Sequence, residues 1–335
     1  MHGSDDHSIS RRHMVGGAAV GLASAAAGSA PAQAQGSGTG AAVAKDDPTT
    51  KYPKPPFRSQ SQPWPGLAGQ MDPRPDHGEA SYKGSGRLQG RKALITGGDS
   101  GMGRAAAIAY AREGADVAIS YHPTEEPDAR EVIALIEKEG RIAVALPGDL
   151  RDEALCTRIV AEAVQRLGGL DILVNNAARQ QQRQSLLDIT SEDFDATMKT
   201  NVYAMFWLTK AALPHMSPGS AIIQTTSEQA YDPSANLVDY AMTKAAMMNF
   251  TKSLAKQLGP KGIRVNGVAP GPIWTPLQVS GGATQEKLQQ FGGDTPMGRP
   301  GQPVELASIY VQLAAADASY ATGQVYGAAG GSGQP

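Results

Sequence analysis

A tyrosine and a lysine four residues apart, Tyr240 and Lys244, have the types and the spacing that proton transfer requires. On a helix this spacing places both side chains on one face. An ordinary tyrosine, with a pKa of about 10, is a poor acid or base at neutral pH, but a neighbouring ammonium would stabilise its phenolate. Tyr240 is therefore a candidate general acid/base, with Lys244 as the residue that lowers its pKa.

Two further polar residues fall where a substrate would meet this pair. Ser227 comes just after an apolar run from Ala221 to Thr225, so it would emerge at the carboxyl edge of a parallel sheet, where open α/β sheets bind ligands. Asn201 follows a polar stretch and is expected to begin a helix. A Tyr/Lys pair alone is common on protein surfaces, but its occurrence with these residues favours a catalytic site.

A glycine-rich loop, TGGDSGMG at residues 96–103, comes directly after an apolar run and before a helix expected to begin near Arg104. Glycines let the backbone turn sharply and approach a pyrophosphate, and the free N–H groups of a helix N-terminus favour its negative charge. A glycine-rich turn alone is a weak signal, and a purely structural turn is the alternative. The strand before the loop and the helix after it favour dinucleotide binding.

From Lys92 onward, short apolar runs alternate with amphipathic stretches. The runs are Ala93 to Thr96, Val117 to Ser120, Ile142 to Leu146, Ile172 to Val174, Ala221 to Thr225 and Ile263 to Val268. The amphipathic stretches are Asp128 to Glu139, Glu153 to Leu167 and Tyr240 to Leu258. This repetition predicts an α/β fold over residues 89–335, a single doubly wound (Rossmann) parallel sheet with helices on both faces.

Two segments precede this domain. Residues 1–34 carry Arg11 and Arg12 before an Ala- and Gly-rich stretch that ends in APAQA, a pattern typical of a secretory signal. The paired arginines resemble a twin-arginine signal, so we expect export to the periplasm, with a cytoplasmic location as the alternative. The stretch has too few strongly apolar residues for a stable membrane anchor. Residues 35–88 are rich in proline and predict an extended arm on the enzyme surface or a neighbouring subunit, with disorder as the alternative.

Composition excludes several classes of protein. The chain has 335 residues, of which 41% are hydrophobic, so it is large and apolar enough for a sizeable core. Its net charge of -2, from 30 basic and 32 acidic side chains, offers no electrostatic footprint for nucleic acid or an anionic membrane. Cys156 is the only cysteine and the histidines are scattered, so we expect neither a disulfide nor a metal site. Small molecules are the expected partners.

Taken together, the motifs resemble the short-chain dehydrogenase/reductase family. The loop has that family's TGxxxGxG form, Ser227, Tyr240 and Lys244 follow in its order, and NNAA at residues 175–178 and PGPIWT at residues 270–275 occupy the corresponding strand ends. The resemblance covers about residues 88–331. Residues 66–90 and 292–300 look like the bacterial general-stress-protein branch, which carries a proline-rich N-terminal extension. The run GAAG at residues 327–330 lacks the asparagine common in the family, which affects local contacts and not catalysis.

The resemblance implies a role for each candidate residue. Tyr240 would be the general acid/base, Ser227 would polarise the substrate oxygen, Lys244 would bind the ribose, and Asn201 would support a proton-relay water. The residues expected around the cofactor are Gly97, Ser100, Gly101, Met102 and Gly103 at the pyrophosphate, Asp149 and Leu150 at adenine, Asn176 at the adenosine ribose, and Ile273 and Thr275 at the nicotinamide, with Tyr240 and Lys244 also in contact. The implied activity is NAD(P)(H)-dependent interconversion of a carbonyl and an alcohol.

We expect NAD to be favoured, with NADP as the alternative. The adenosine ribose is normally read at the end of the second strand, where Asp or Glu selects the free hydroxyl and arginine accepts a 2′-phosphate. This chain has Ser120, Tyr121 and His122 there, and Ser100 stands where phosphate-preferring relatives often carry a cation. Without a fixed positive charge, the extra phosphate would lose charge-assisted hydrogen bonds.

Three questions stay open at this point. An epimerase or dehydratase of the extended relatives would also use a Tyr/Lys pair, although the glycine loop of such enzymes is usually spaced differently. A non-catalytic nucleotide binder would not need the phenol.

The stretches from Asn201 to Leu213 and from Tyr240 to Leu258 have more apolar positions than one buried stripe requires, so we expect a homotetramer, with a dimer next. The polar run of glutamines at residues 180–182, with Glu228 and Gln229, either rims the substrate pocket or is solvated loop.

Overall fold

The computed structural model describes residues 46–332. Within them, seven parallel strands form one sheet in the order β3-β2-β1-β4-β5-β6-β7. The strands are β1 Lys92–Thr96, β2 Asp116–Tyr121, β3 Ala143–Pro147, β4 Ile172–Asn175, β5 Ala221–Thr225, β6 Arg264–Pro270 and β7 Val325–Ala328. The strand order reverses between β1 and β4, and ligands of doubly wound folds bind at such a reversal.

Helices cover both faces of this sheet. They are α1 Gly101–Arg112, α2 Glu126–Lys138, α3 Glu153–Leu167, α4 Ser191–Met198, α5 Ala204–Ala212, α6 Val238–Leu258, α7 Pro276–Ser280, α8 Gln285–Gln289 and α9 Val304–Ala314. Side chains of α1, α2 and α9 form one buried core with the sheet, and side chains of α3, α5 and α6 form the other. In β1, Ala93 and Ile95 enter the first core and Leu94 the second, because alternate strand residues face opposite sides. The predicted doubly wound parallel sheet is confirmed.

The structure corrects the predicted start of two helices. The first helix begins at Gly101, not near Arg104, because Ser100 has extended backbone angles and stands at the N-cap. Asn201 does not begin a helix. It lies in a π-helical turn, Lys199–Tyr203, which joins α4 and α5 without a break.

The proline-rich arm lies along the surface of this domain from residue 46 to residue 88. Phe57 stacks on Trp274, with ring centroids 4.3 Å apart, and its backbone N–H donates to Gln289 O over 2.8 Å. The indole Nε1 of Trp274 donates to Pro73 O over 2.8 Å. Farther along, the Ala68 N–H donates to the buried carboxylate of Asp128 over 2.5 Å. Stacking and backbone hydrogen bonds thus hold the arm at several points.

Candidate active site

One cleft crosses the carboxyl ends of the strands, and the Tyr/Lys pair lies at its floor. The cleft is lined by residues that follow β1, β2, β3, β4, β5 and β6, among them Gly97, His122, Asp149, Asn176, Ser227 and Gly271. Tyr240 and Lys244 from the first half of α6 also line it. Parallel strands end at the same edge of a sheet, so residues far apart in sequence meet there.

Tyr240 and Lys244 are almost fully buried, with 7% and 1% of their surface exposed. The Lys244 ammonium lies 5.3 Å from the centroid of the Tyr240 ring and donates to Thr225 O over 2.7 Å. Ser227, at the start of the short 3-10 turn after β5, accepts a hydrogen bond from Gln229 N through its Oγ over 3.1 Å. The structure therefore brings Ser227, Tyr240 and Lys244 together, as the spacing predicts.

Burial shifts both titrating groups of this pair away from the charged form. Burial raises the pKa of Tyr240 above its ordinary value, while the nearby Ser227 hydroxyl lowers this pKa and the negative charge of Glu228 raises it. Burial lowers the pKa of Lys244 to about 7. Burial therefore opposes ionisation of the tyrosine, and a positive charge beside the ring would offset this effect.

The side chain of Asn201 connects the segment after β4 to helix α6. Its side chain accepts from Arg179 N over 2.7 Å and donates to Arg179 O over 2.9 Å and to Thr243 Oγ1 over 3.0 Å. Thr243 is the neighbour of Lys244 on α6, so these bonds tie the segment after β4 to the catalytic helix. Asn201 itself does not line the cleft, whereas its neighbour Thr200 does.

The glycine loop has the close approaches that a phosphate cradle needs. Gly101 lines the cleft with φ +52, a conformation that favours glycine. A Cβ on Gly103 would lie 1.9 Å from Gly97 O and 2.5 Å from Asn176 Nδ2, so only glycine fits where α1 meets the loop. No side chain caps the N-terminal N–H groups of α1, which leaves them available to an anion.

The other predicted cofactor residues fall in two groups. Met102, Ser100, Asp149, Leu150 and Thr275 line the cleft. Asn176 lines it too, and its side chain ties the strand ends together by donating to Thr96 O and Gly97 O over 3.1 Å and accepting from Thr225 Oγ1 over 3.2 Å. Ile273 differs, because its side chain packs in the core and does not line the cleft.

Sequence reasoning missed two carboxyl groups at the end where the adenosine ribose is read. Asp99 of the glycine loop and Glu125 of the turn after β2 both line the cleft beside Ser120. Asp99 is 1% exposed, and neither of its carboxyl oxygens nor the Ser120 hydroxyl has a hydrogen-bond partner among residues 46–332. Burial raises the pKa of Asp99, and burial together with the charge of Asp99 raises the pKa of Glu125. Buried polar groups of this kind require partners, and ribose hydroxyls would supply them.

The arm is the second feature that sequence reasoning missed at this site. Trp64, Pro65 and Gly66 line the cleft, although they precede the first strand by more than 20 residues. An aromatic residue at position 64 indicates that the arm packs on the domain surface. Nothing in the neighbouring sequence indicates that this residue lines the cleft.

The glutamines near the predicted pocket rim bond to different partners. Gln181 donates to Ser280 O over 3.1 Å, Gln182 accepts from Asn236 over 2.7 Å, and Gln229 accepts from Ser234 N over 2.7 Å. These three glutamines hold loops together. Glu228 instead lies beside Gly271 of the cleft wall, where a Cβ would be 3.0 Å from its Oε2. Burial and the charges of Asp294 and Asp232 raise its pKa to about 7.

Comparison with known proteins assigns the family. A family model described as "Enoyl-(Acyl carrier protein) reductase" matches residues 97–332. The chain is 58% identical to the uncharacterized oxidoreductase YghA of Escherichia coli (strain K12) over 285 residues, which are 85% of this chain and 97% of the relative. It is 50% identical to general stress protein 39 of Bacillus subtilis (strain 168) over 281 residues, covering 84% of this chain and 97% of that protein.

Solved structures agree with this assignment. A short-chain dehydrogenase from Burkholderia cenocepacia J2315 in complex with NADP aligns with a TM-score of 0.69 and 36% identity, over 73% of this chain and 98% of that one. The chain belongs to the short-chain dehydrogenase/reductase family. It is an oxidoreductase that uses a nicotinamide cofactor.

Among the helices of residues 46–332, none is long and apolar enough to cross a membrane. In that same part of the chain, no group of three or more His, Cys, Asp or Glu side chains is arranged to hold a metal ion.

Proposed function

We propose that this protein interconverts an aldehyde or ketone and an alcohol by hydride transfer, with Tyr240 as the general acid/base. The meeting of Ser227, Tyr240 and Lys244 in one cleft at the carboxyl ends of the strands carries this proposal. The residues present fit a nicotinamide dinucleotide, because the glycine loop and the uncapped N-terminus of α1 suit a pyrophosphate and the orphaned Asp99 and Ser120 suit ribose hydroxyls.

In this proposal each residue has a separate task. Ser227 donates a hydrogen bond to the substrate oxygen, and Tyr240 gives that oxygen its proton in reduction or takes it in oxidation. Lys244, held by Thr225 O, would hold the ribose and, when protonated, stabilise the phenolate of Tyr240. A bound nicotinamide would supply the hydride donor or acceptor, and its oxidised form would add positive charge to the cleft. Asn201 positions Arg179 and Thr243 and so fixes the helix that carries the pair.

The test of this reaction is Tyr240→Phe. The ring fits the same buried site, but the transferable proton is lost, so turnover of any carbonyl in a substrate panel is expected to fall at least about a hundredfold. Binding of NADH, followed by fluorescence, is expected to persist. Near-normal turnover by this variant contradicts the assigned role, and the absence of turnover in the unaltered enzyme across the panel favours a non-catalytic nucleotide binder.

We further propose that the cofactor is NAD and not NADP. Among the residues of the described chain that line the cleft, Lys244 is the only lysine or arginine, and it lies at the catalytic end. The adenosine end instead presents Asp99 and Glu125. Carboxyl oxygens accept hydrogen bonds from a free 2′-hydroxyl, and no lysine or arginine of residues 46–332 lines this end of the cleft to pair with a 2′-phosphate. The relative from Burkholderia cenocepacia binds NADP, so this preference would separate the two proteins.

Isothermal titration with NAD and NADP tests the cofactor preference. The unaltered enzyme is expected to bind NAD more tightly, and Glu125→Gln is expected to narrow the ratio of the two dissociation constants, because the variant loses a carboxyl group that can accept from the 2′-hydroxyl. Glu126→Gln is the matched control, because that neighbouring carboxylate contacts Tyr121 and Arg130 and does not line the cleft. A tighter complex of the unaltered enzyme with NADP overturns the assignment.

We propose a homotetramer for the assembly. Three apolar side chains on the α4, α5 and α6 region are about half exposed, at 43% for Tyr203, 48% for Phe206 and 46% for Met242. Apolar area of this kind is typical of a surface that another subunit covers. Light scattering is expected to give a tetramer, and Phe206→Glu with Met242→Glu is expected to dissociate it. Lys138→Glu changes an exposed residue of α2, a helix that packs in the other core, and is expected to leave assembly unaltered. A monomer at micromolar concentration contradicts the proposal.

Export by a twin-arginine signal is proposed for the leader. Residues 1–34, with Arg11 and Arg12, lie outside the described residues, so this proposal depends on the sequence pattern alone. Fractionation of cells is expected to place the mature protein in the periplasm, and Arg11→Lys with Arg12→Lys is expected to hold it in the cytoplasm. Full-length protein found only in the cytoplasm would refute export.

A further inference from the structure

Trp64, near the middle of the proline-rich arm, occupies a defined place in the cofactor cleft. Its ring lies 6.0 Å from the ring of His122, centroid to centroid, and 5.1 Å from the guanidinium carbon of Arg179. His122 follows β2 and Arg179 follows β4, on either side of the point where the strand order reverses. Because the end of β2 is where a doubly wound fold reads the adenosine ribose, Trp64 lies at the adenosine half of the cleft.

Hydrogen bonds hold the turn that presents this indole. The side chain of Gln62 closes the turn by accepting from Leu67 N over 2.7 Å and donating to Leu67 O over 3.1 Å. The backbone N–H of Gln62 donates to Val279 O over 3.0 Å, and two residues past Gly66 the Ala68 N–H donates to Asp128. Both ends of the turn are thus bonded to the Rossmann domain, and Trp64 is presented between them.

Arg179 is held as firmly as the turn. Its backbone is clamped by Asn201, and its guanidinium donates to Asp193 over 2.8 Å. A guanidinium beside an indole is attracted by the ring's electron density, which adds to the packing. Trp64 remains partly exposed in the absence of a ligand, so its aromatic surface is available to a second flat partner.

We infer that the arm is a wall of the cofactor site, and that Trp64 packs against the adenosine half of the bound dinucleotide. The inference rests on the proposed function only in requiring that a dinucleotide occupies the cleft. An adenine ring offers an aromatic face of the kind that indoles stack on in other nucleotide sites, and each such contact strengthens binding measurably. The arm therefore contributes affinity for the cofactor, and the hydride-transfer chemistry stays with Ser227, Tyr240 and Lys244.

The test compares NADH with ADP-ribose, a probe that lacks the nicotinamide. Trp64→Ala is expected to raise the Kd of both about tenfold, because both contain the adenosine half. Trp64→Phe keeps an aromatic face and is expected to stay within about threefold of the unaltered enzyme. The inference is overturned if Trp64→Ala weakens the binding of NADH but not of ADP-ribose. It is also overturned if the Kd values of the variant equal those of the unaltered enzyme.

Fluorescence gives a second readout that does not depend on a variant with a missing ring. ADP-ribose is expected to change tryptophan emission in the unaltered enzyme and in Trp207→Phe, whose ring lies against Tyr203 on α5, but not in Trp64→Phe. An emission change that survives in Trp64→Phe contradicts the contact. If Trp64→Ala does not fold, Trp64→Leu replaces it, with the same expected loss of affinity. Failure of the unaltered enzyme to bind either probe would instead refute the proposed function, so the two failures are distinguishable.

Discussion

Replacing Lys244 with methionine tests the physical basis of the catalytic pair. Burial is the only influence that shifts the pKa of this lysine, from an ordinary 10.5 to about 7. Between these values the unfolded chain holds a proton that the folded chain has released, so the free energy of unfolding rises with pH. Methionine has similar length and no titrating group, and Lys244→Met therefore removes this dependence while keeping most of the packing.

The size of the effect follows from the two pKa values. Each pH unit over which the unfolded state alone holds the proton contributes about 1.4 kcal/mol, and the native state is half protonated at about pH 7. From pH 7 to pH 9 the unaltered enzyme is thus expected to gain about 2 kcal/mol relative to Lys244→Met. The assay is urea unfolding of the cofactor-free enzyme at pH 7, 8 and 9, followed by circular dichroism at one protein concentration.

Lys256→Met is the matched control, since this lysine is exposed on the same helix. Its stability relative to the unaltered enzyme is expected to stay constant over the same pH range. If the free energy of unfolding of the unaltered enzyme minus that of Lys244→Met does not change from pH 7 to pH 9, the reasoning is refuted. That result would mean that the ammonium keeps its ordinary pKa in the folded protein. A difference that falls with pH would mean that the fold stabilises the charged form.

Three other predictions follow from burial and close contacts. Glu228→Gln removes a charge that raises the pKa of Tyr240, so the pH profile of alcohol oxidation is expected to shift to lower pH, and an unchanged profile would exclude this coupling. Gly103→Ala places a Cβ against Gly97 O and displaces the phosphate loop, so NADH binding is expected to weaken at least about tenfold. Gly259→Ala is the control, because the added Cβ meets open space, and it is expected to bind NADH normally. Burial raises the pKa of Cys156 to about 12, so a thiol reagent at pH 8 is expected to label the unfolded protein only, and rapid labelling of the folded enzyme would contradict the buried position.

Most of the sheet was predictable because its strands are buried on both faces. Apolar runs such as Ala221 to Thr225 stand out in the sequence for this reason, and the observed β5 has the same bounds. Strand β7 was not predicted, because Tyr326 and Gly327 at the sheet edge are exposed and the segment has no apolar run. The position of Asn201 in a π-helical turn was not predicted, and the partners of its side chain, Arg179 and Thr243, are brought close only by tertiary structure.

The candidate site divides in the same way. Tyr240 and Lys244 share one helix, and Ser227 follows one strand, so local spacing was enough to place them together. Asp99 and Glu125 come from two separate turns, and only the pairing of β1 with β2 makes them neighbours at the cleft. The end of β2 itself has no acid, so sequence reasoning did not find the two carboxyl groups at the ribose end. The sequence-based expectation of NAD is nevertheless the one that we propose.

The placement of the arm has a consequence for the order of events during synthesis. Phe57 leaves the ribosome early, yet it stacks on Trp274, and Gln60 bonds to Gln285, 225 residues farther along the chain. The Trp274 indole bonds back to Pro73 across 201 residues. Contacts between such distant residues form only after both partners exist. We therefore expect the arm to dock only after residues 274–285 have been synthesised, when most of the domain already exists.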